Sequence, residues 1–261
     1  MELGAGDGPG WLALSEVLRG DALAVLFADR AEDAGGARDY LGASVAAALS
    51  GAVIAAGWVP MLLDARLPDL SPSNLAVHRA EGGGWFDRIA LRNDDCLVVA
   101  GDPAAGQSGA RAVSALDDLH RQFAAFLVAA LEPWFVAVRR RAPYGRYGMW
   151  GQVADDLCGT ALRAARRADL DSEAAWDEAQ AVLDLVAAQV PELRARPRLF
   201  PVTWRSGEVL FSVKGTCCLW YRTQEAPDPG GEGYCGSCPL RDDECRRARL
   251  TRWLEEQEAR G

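Results

Sequence analysis

The 261-residue sequence is almost without lysine: Lys214 is the only one among 28 basic residues. This preference for arginine, together with abundant Ala and Gly, is typical of a GC-rich coding bias and carries little functional information. The chain also lacks a basic excess, because 37 acidic residues give a net charge of −9. A general nucleic-acid binder carries a basic field. We therefore expect no nucleic-acid partner, and residues 139–141 with Arg146 form the best local basic patch.

The N-terminus lacks an export signal, since residues 1–7 contain neither a basic leader nor an apolar core. We therefore expect a cytoplasmic protein, and leave association with the inner face of the membrane open. In a reducing compartment the seven cysteines are not expected to form disulfides, and clustered cysteines there more often bind metal or act in catalysis. Internal repeats, heptads and a long disordered tail are absent too. The length suits one large domain or two modest ones.

Residues 41–63 must be weighed as a membrane span. They contain no charged side chain over 23 positions, which is long enough to cross a bilayer. Their side chains are mostly Ala, Gly, Ser and Val, which contribute less apolar area than Leu, Ile and Phe. We therefore predict a buried helix of a soluble protein.

The hydrophobic pattern predicts an α+β fold, mostly helical, with a small antiparallel sheet and a C-terminal cysteine-rich segment. Three β-like runs in residues 75–100 predict the sheet. Residues 194–201 have the composition of a linker, and a strand at 208–213 leads to the cysteines. The predicted domains are a helix-rich unit, 1–200, and the cysteine-rich segment, 201–261. Apolar spacing predicts helices at 37–58 (ended by Pro60), 111–140 (interrupted by Pro133), 148–167, 172–190 and 241–260.

Four cysteines form the most specific pattern in the chain. Cys217 and Cys218 are adjacent, and sixteen residues later comes Cys235-Gly-Ser-Cys238. Four thiolates from two short segments are the ligands of a Cys₄ site, either tetrahedral zinc or an iron–sulfur cluster. Neighbouring side chains on an extended chain point apart, so the adjacent pair favours a binuclear iron cluster. A zinc-stapled, non-catalytic binding module remains the alternative.

The other cysteines and the histidines are weaker candidates. Cys245 lies seven positions after Cys238 and could reach the same site, whereas Cys96 and Cys158 are scattered. His78 and His120 lack the Cys-x-His context of a Rieske centre and are expected not to be ligands. A thiol redox use of the Cys-x-x-Cys lacks the expected βαβ context.

Two C-terminal segments resemble the signature of the FhuF-type ferric-siderophore reductases: Lys214-Gly-Thr-Cys-Cys-Leu-Trp-Tyr-Arg222 and Tyr234-Cys-Gly-Ser-Cys-Pro-Leu240. Upstream, Met149-Trp-Gly-Gln-Val-Ala154 is similar to a Leu-Trp-Gly-Asn-Val-Ala segment of that family, with Gln152 in place of Asn. The spacer between the cysteine pairs is longer here, and its extra residues fall in the turn-rich stretch 226–233. Lengthening a flexible loop in this way costs well under about 1 kcal/mol.

The resemblance implies a [2Fe–2S] cluster bound by Cys217, Cys218, Cys235 and Cys238. It also implies an oxidoreductase that reduces siderophore-bound Fe(III) in the cytoplasm, supplied by a cellular electron donor that the sequence does not identify, with residues 1–200 as substrate platform. Residues near the motifs are candidates for substrate binding (Arg146, Trp150, Trp220, Tyr221, Arg222) and for tuning the cluster (Lys214). The competing interpretation is that the aromatic residues pack around the cysteine loop, Trp150 anchors its helix, and the charges are solvated.

Overall fold

The computed structural model describes residues 2–3, 6–19, 21–32, 34–80, 86–205, 207–223 and 233–260. Helices make up 54% of the chain and the sheets are small, so the predicted α+β class is confirmed. The spacer residues 224–232 and the predicted turn at 81–84 lie outside the described residues. The helices are α1 (Leu14–Arg19), α2 (Asp21–Ala31), α3 (Arg38–Asp64), α4 (Leu116–Arg141), α5 (Arg146–Ala168), α6 (Ser172–Ala187) and α7 (Asp243–Arg260), with a 3₁₀ turn at Trp220–Arg222.

Nine short strands form three sheets within the described ranges. The first has the order β1-β5-β4-β2, the second β3-β6-β7, and the third is the antiparallel pair β8-β9. The single sheet predicted over residues 75–100 is only partly right, because β4 pairs with β5 but β6 lies between β3 and the parallel β7. The strands are β1 (Glu2–Leu3), β2 (Trp11–Ala13), β3 (Arg66–Pro68), β4 (Leu75–Arg79), β5 (Phe86–Leu91), β6 (Cys96–Val99), β7 (Ala110–Val113), β8 (Arg198–Trp204) and β9 (Gly207–Val213).

Helix α3 lies at the centre of the main core. By length and composition, α3 and α4 could each cross a membrane, and 67% of the apolar window of α3 is buried inside the protein. The predicted burial of residues 41–63 is therefore confirmed. Small residues let neighbouring elements approach closely: a Cβ at Gly57 would lie 2.5 Å from the Phe123 ring.

Both prolines predicted to end or interrupt helices lie inside them. Pro60 is within α3 and Pro133 is within α4. A proline removes one helical hydrogen bond and strains its turn, but the side chains that follow are held by the core. Met61 is buried after Pro60, and Phe135 and Val138 are buried after Pro133. Burial of these side chains offsets the local cost.

The C-terminal part has a small core of its own. Strands β8 and β9 contribute Phe200, Val202 and Val213, and Leu250 and Leu254 of α7 pack against them. The predicted linker therefore includes the start of β8, and the predicted boundary between residues 200 and 201 falls inside this strand. Pro201 is tolerated because a two-stranded sheet has only edge strands. Strand β9 ends one residue before Lys214.

Candidate functional site

The four motif cysteines lie together as two pairs, and each pair takes one cysteine from each segment. The Sγ atoms of Cys217 and Cys238 are 4.0 Å apart. Cys218 and Cys235 form the second pair through a thiol–thiol hydrogen bond. Cys238 is buried and the other three are partly exposed. The fold thus brings together all four residues that the sequence motif predicted.

The spacing within a pair suits two thiolates on one metal. With metal–sulfur bonds of about 2.3 Å in tetrahedral geometry, the two sulfurs are about 3.8 Å apart, close to the distance between Cys217 and Cys238. Among the described residues, no three Cys, His, Asp or Glu side chains surround a point suited to a single ion. Within the described residues the thiols thus lie as two pairs and not as a cage around one ion.

The thiols differ in how readily they lose a proton. A hydrogen bond with Cys235 lowers the pKa of Cys218, and the positive charge of Lys214 acts in the same direction. Burial raises the pKa of Cys217 to about 11, and the hydrogen bond to Cys218 raises the pKa of Cys235. Because the thiolate is the form that binds metal, binding of a metal here would release protons from these thiols.

The first cysteine segment is fixed against α5. The Asp155 carboxylate accepts hydrogen bonds from the backbone N–H of Gly215 (2.7 Å) and of Thr216 (3.3 Å). Gly151 leaves room for this approach, because a Cβ there would overlap Thr216 Oγ1. The two separate parts of the sequence that carry the family resemblance are therefore in contact.

Sequence reasoning missed the two neighbouring carboxyls of α5. Burial raises the pKa of Asp155 to about 7, opposed by its backbone hydrogen bonds and by Lys214. Burial also raises the pKa of Asp156, which accepts a hydrogen bond from Ser50 of α3. Their signal was available, since a pair of acids directly follows the Met149–Ala154 motif on one helix.

The second cysteine segment is held by α7. The Arg246 side chain is 1% exposed and donates to the carbonyls of Gly236 (2.9 Å), Cys238 (2.9 Å) and Arg241 (2.7 Å). Lys214 ties the two segments together, because its backbone N–H donates to the Ser237 carbonyl at 2.9 Å. The charge-rich sequence of α7 predicts only a solvated face and gave no sign of this role.

Cys245 lies beside the site but belongs to neither thiol pair. Arg241 donates to its Sγ at 2.8 Å and also to the backbone carbonyls of Tyr234 and Cys235. The thiol therefore takes part in the support of the Cys235–Cys238 turn.

The remaining cysteines and both histidines lie elsewhere. His78 Nδ1 is 2.7 Å from Asp87, and His120 Nε2 is 2.9 Å from Glu178. Neither histidine joins the thiols, as predicted. Cys96 lies on β6 and Cys158 is buried in the main core.

Two predicted substrate-binding residues have other roles. Trp150 is 0% exposed and packs edge-on against Phe135 at 5.1 Å, so the prediction that it contacts a substrate is wrong. It anchors α5 in the core, as the competing interpretation held. Arg146 forms ion pairs with Glu132 and Glu192 at the start of α5. Its guanidinium is therefore engaged by two carboxylates, while 33% of the side chain stays exposed.

The residues after the paired cysteines divide between packing and a cavity. The Tyr221 ring packs edge-on against Tyr234 at 5.4 Å, and Arg222 forms an ion pair with Asp39 of α3. Trp220 and Lys214 instead line a cavity that the Cys218–Cys235 pair also borders.

No protein-family profile, curated protein or solved structure matches this chain. The functional assignment therefore rests on the site and on the resemblance of its sequence motifs.

Proposed function

We propose that the protein is a cytoplasmic [2Fe–2S] oxidoreductase of the FhuF type that reduces siderophore-bound Fe(III) by one electron. The observation that carries this proposal is the arrangement of the four thiols as two pairs. Each pair joins the Cys-Cys segment to the Cys-x-x-Cys turn, and the 4.0 Å between the Cys217 and Cys238 Sγ atoms suits a shared tetrahedral metal.

In this assignment Cys217 and Cys238 would hold one iron, and Cys218 and Cys235 the other. A cluster of this type exchanges one electron at a time. The chain contributes a preformed ligand set, because Asp155 fixes the first segment and Arg246 fixes the second. Contact between α5 and the loop before Cys217 joins the motif segments that resemble the family.

The chemistry fits iron held by hard oxygen donors. Hydroxamate and catecholate oxygens bind ferric iron more strongly than ferrous iron. One electron passed from the protein to the chelate converts Fe(III) to Fe(II), and no covalent bond breaks. The weakened chelate then releases iron, and a one-electron donor of the cell restores the reduced protein.

Anaerobic purification followed by absorption and EPR spectroscopy tests the cofactor. We expect a reddish-brown protein with about two irons and two acid-labile sulfides per chain. After stoichiometric chemical reduction, a ferric hydroxamate or catecholate chelate should restore the oxidised spectrum, with Fe(II) captured by a chromogenic ferrous chelator.

Serine variants provide the control. Cys217→Ser and Cys218→Ser should each lose the normal spectrum, whereas Cys245→Ser should keep it because this thiol joins neither pair. The proposal is overturned by one zinc per chain without visible absorption, or by a normal spectrum in both motif variants. Failure of every ferric chelate to oxidise the reduced protein would refute the activity.

A further inference from the structure

A cavity of about 440 Å³ lies between α3, α5 and the two cysteine segments. This volume is at the small end of the range of ligand sites, about 300–1,000 Å³. It therefore suits one end of a larger ligand or a small molecule. Its polar and functional lining includes Tyr40, Gln152, Asp155, Asp156, Lys214, Cys218, Trp220, Cys235 and Ser237.

Only one thiol pair borders this cavity. Cys218 and Cys235 form part of its wall, whereas Cys217 and Cys238 are not among the lining residues. A group bound in the cavity would therefore meet the Cys218–Cys235 side of the centre directly. An electron passed from the cysteine site to such a group would therefore leave on the Cys218–Cys235 side.

Two polar groups in the wall are available to a ligand. Lys214 lines the cavity beside Cys218 and Cys235. It forms no ion pair or side-chain hydrogen bond within the described part of the chain. Gln152 is 6% exposed, and its Oε1 has no hydrogen-bond partner among the described residues. Buried polar groups are normally paired, so the Gln152 oxygen points to a ligand that carries a hydrogen-bond donor, and Lys214 offers a donor to the oxygens of such a ligand.

The carboxyls of the cavity are already engaged by the chain. Asp155 accepts the two backbone N–H groups of the cysteine loop, and Asp156 accepts the Ser50 hydroxyl. Lys214 acts on these carboxyls through its charge but makes no hydrogen bond to them, so its N–H groups can donate to an anionic oxygen of a ligand.

The opposite wall leaves the space open. It is formed by small residues of α3, and a Cβ at Gly51 would meet nothing within 4 Å. The residues concerned are Ser44, Ala47, Ala48, Gly51 and Ala52.

We propose that this cavity docks the iron-bearing end of the ferric chelate, with Lys214 donating to a chelate oxygen and the electron leaving through the Cys218–Cys235 side. The ligand class is a trivalent metal ion enclosed by anionic oxygens, with the rest of the chelate outside the cavity. The inference rests on the proposed function and adds the place of docking.

Gallium(III) chelates test the docking without electron transfer, because Ga(III) is not reduced. Titration calorimetry on the cluster-loaded protein would use Ga(III) complexes of one trishydroxamate and one triscatecholate, with the metal-free ligands as controls. The hydroxamate and catecholate titrations show which kind of oxygen ligand the protein accepts. Binding of either complex to the wild-type chain supports the proposal only if the cavity variants bind that complex more weakly.

Ala47→Leu and Gly51→Leu, made separately, fill the cavity from α3, and Lys214→Gln removes the cation. A leucine side chain that takes up the space of the bound chelate should weaken the binding of the Ga(III) chelate about tenfold or more. The absorption spectrum of both leucine variants should stay that of the wild type. Gly207→Leu is the matched control, since a Cβ there also meets nothing within 4 Å and the residue does not line the cavity.

The outcomes separate the two proposals. If both leucine variants bind Ga(III) chelates and are oxidised by ferric chelates as fast as the wild type, the docking site is wrong while the activity stands. If the wild type binds no Ga(III) chelate, yet ferric chelates oxidise it and both leucine variants equally well, the docking site is again wrong. If ferric chelates leave the reduced wild type unchanged, the proposed function fails and the docking site with it.

Discussion

Replacing Gly151 by alanine tests the contact that joins α5 to the first cysteine segment. A Cβ at this position would overlap Thr216 Oγ1 and lie 2.8 Å from Thr216 Cβ. Real Cβ atoms essentially never approach so closely, and Thr216 is 7% exposed, so its side chain has little room to move. The loop that carries Cys217 must therefore shift away from the helix.

The size of the effect follows from opposing contributions. Alanine is better than glycine in a helix by about 1 kcal/mol, whereas overpacking a buried contact costs about 1–3 kcal/mol. A displaced loop also weakens its two hydrogen bonds to the Asp155 carboxylate, each worth about 1.5–3 kcal/mol. We expect the free energy of unfolding of the metal-free protein to fall by about 2–4 kcal/mol in Gly151→Ala.

Urea unfolding of the metal-free protein measures this loss of stability as a lower midpoint at an unchanged slope. Reconstitution with iron and sulfide measures how much iron the displaced cysteines can still bind. Gly51→Ala is the matched control, because a Cβ there meets nothing within 4 Å. Thr216→Gly in the Gly151→Ala background removes both clashing atoms and should restore iron loading. A double-mutant cycle should then show a coupling above about 1 kcal/mol. If Gly151→Ala is as stable and as readily loaded as Gly51→Ala, the loop does not pack on α5 and the reasoning fails.

Three further variants test the supports of the site. Arg246→Met leaves three backbone carbonyls without their charged donor and should lower the free energy of unfolding by about 3 kcal/mol or more. Arg252→Met on the exposed face of α7 is the control and should change the stability little. Equal urea midpoints for the two variants would contradict the role of Arg246. Asp155 has a pKa raised to about 7 by burial, so the native state holds its proton more tightly than the unfolded state, and stability should decline as the pH rises from about 4 to about 7. Asp155→Asn should flatten this part of the curve, and parallel urea curves for the two proteins across that pH range would count against it. Lys214→Met removes a positive charge beside two thiols. The loss of one charge at short range is worth about 1–2 kcal/mol, so the reduction potential of the loaded protein should fall by roughly 40–90 mV. An unchanged potential in a spectroelectrochemical titration would exclude the tuning role.

Local patterns predicted most helices of this fold because their causes are local. The apolar spacing of α5 and α6 is a property of one segment. The N-cap of α6 is local too, since the Asp171 side chain accepts from the N–H groups of Glu173 and Ala174. Strand partners were not predictable in this way. Strand β6 pairs with β3 and β7. Its own sequence predicts a strand but does not indicate which strands lie beside it.

The sequence failed where tertiary packing outweighs a local preference. Pro60 and Pro133 oppose helix, yet buried side chains beyond each of them keep α3 and α4 continuous. Residues 194–201 have linker composition, but β9 provides a partner strand for residues 198–201 of this stretch. The cost at one residue is local, while the compensating burial comes from distant elements.

The sequence by itself singled out the four cysteines proposed as ligands and, through the adjacency of Cys217 and Cys218, favoured two metal positions. The tertiary structure alone decided that each thiol pair spans both segments, that Asp155 and Arg246 hold them, and that one pair borders a cavity. It also showed that Trp150, a predicted substrate-binding residue, lies in the core. Ligand type and spacing along the chain are properties of single segments. Distances between residues separated by sixty positions depend on how the helices pack, and that information is not present in any single motif.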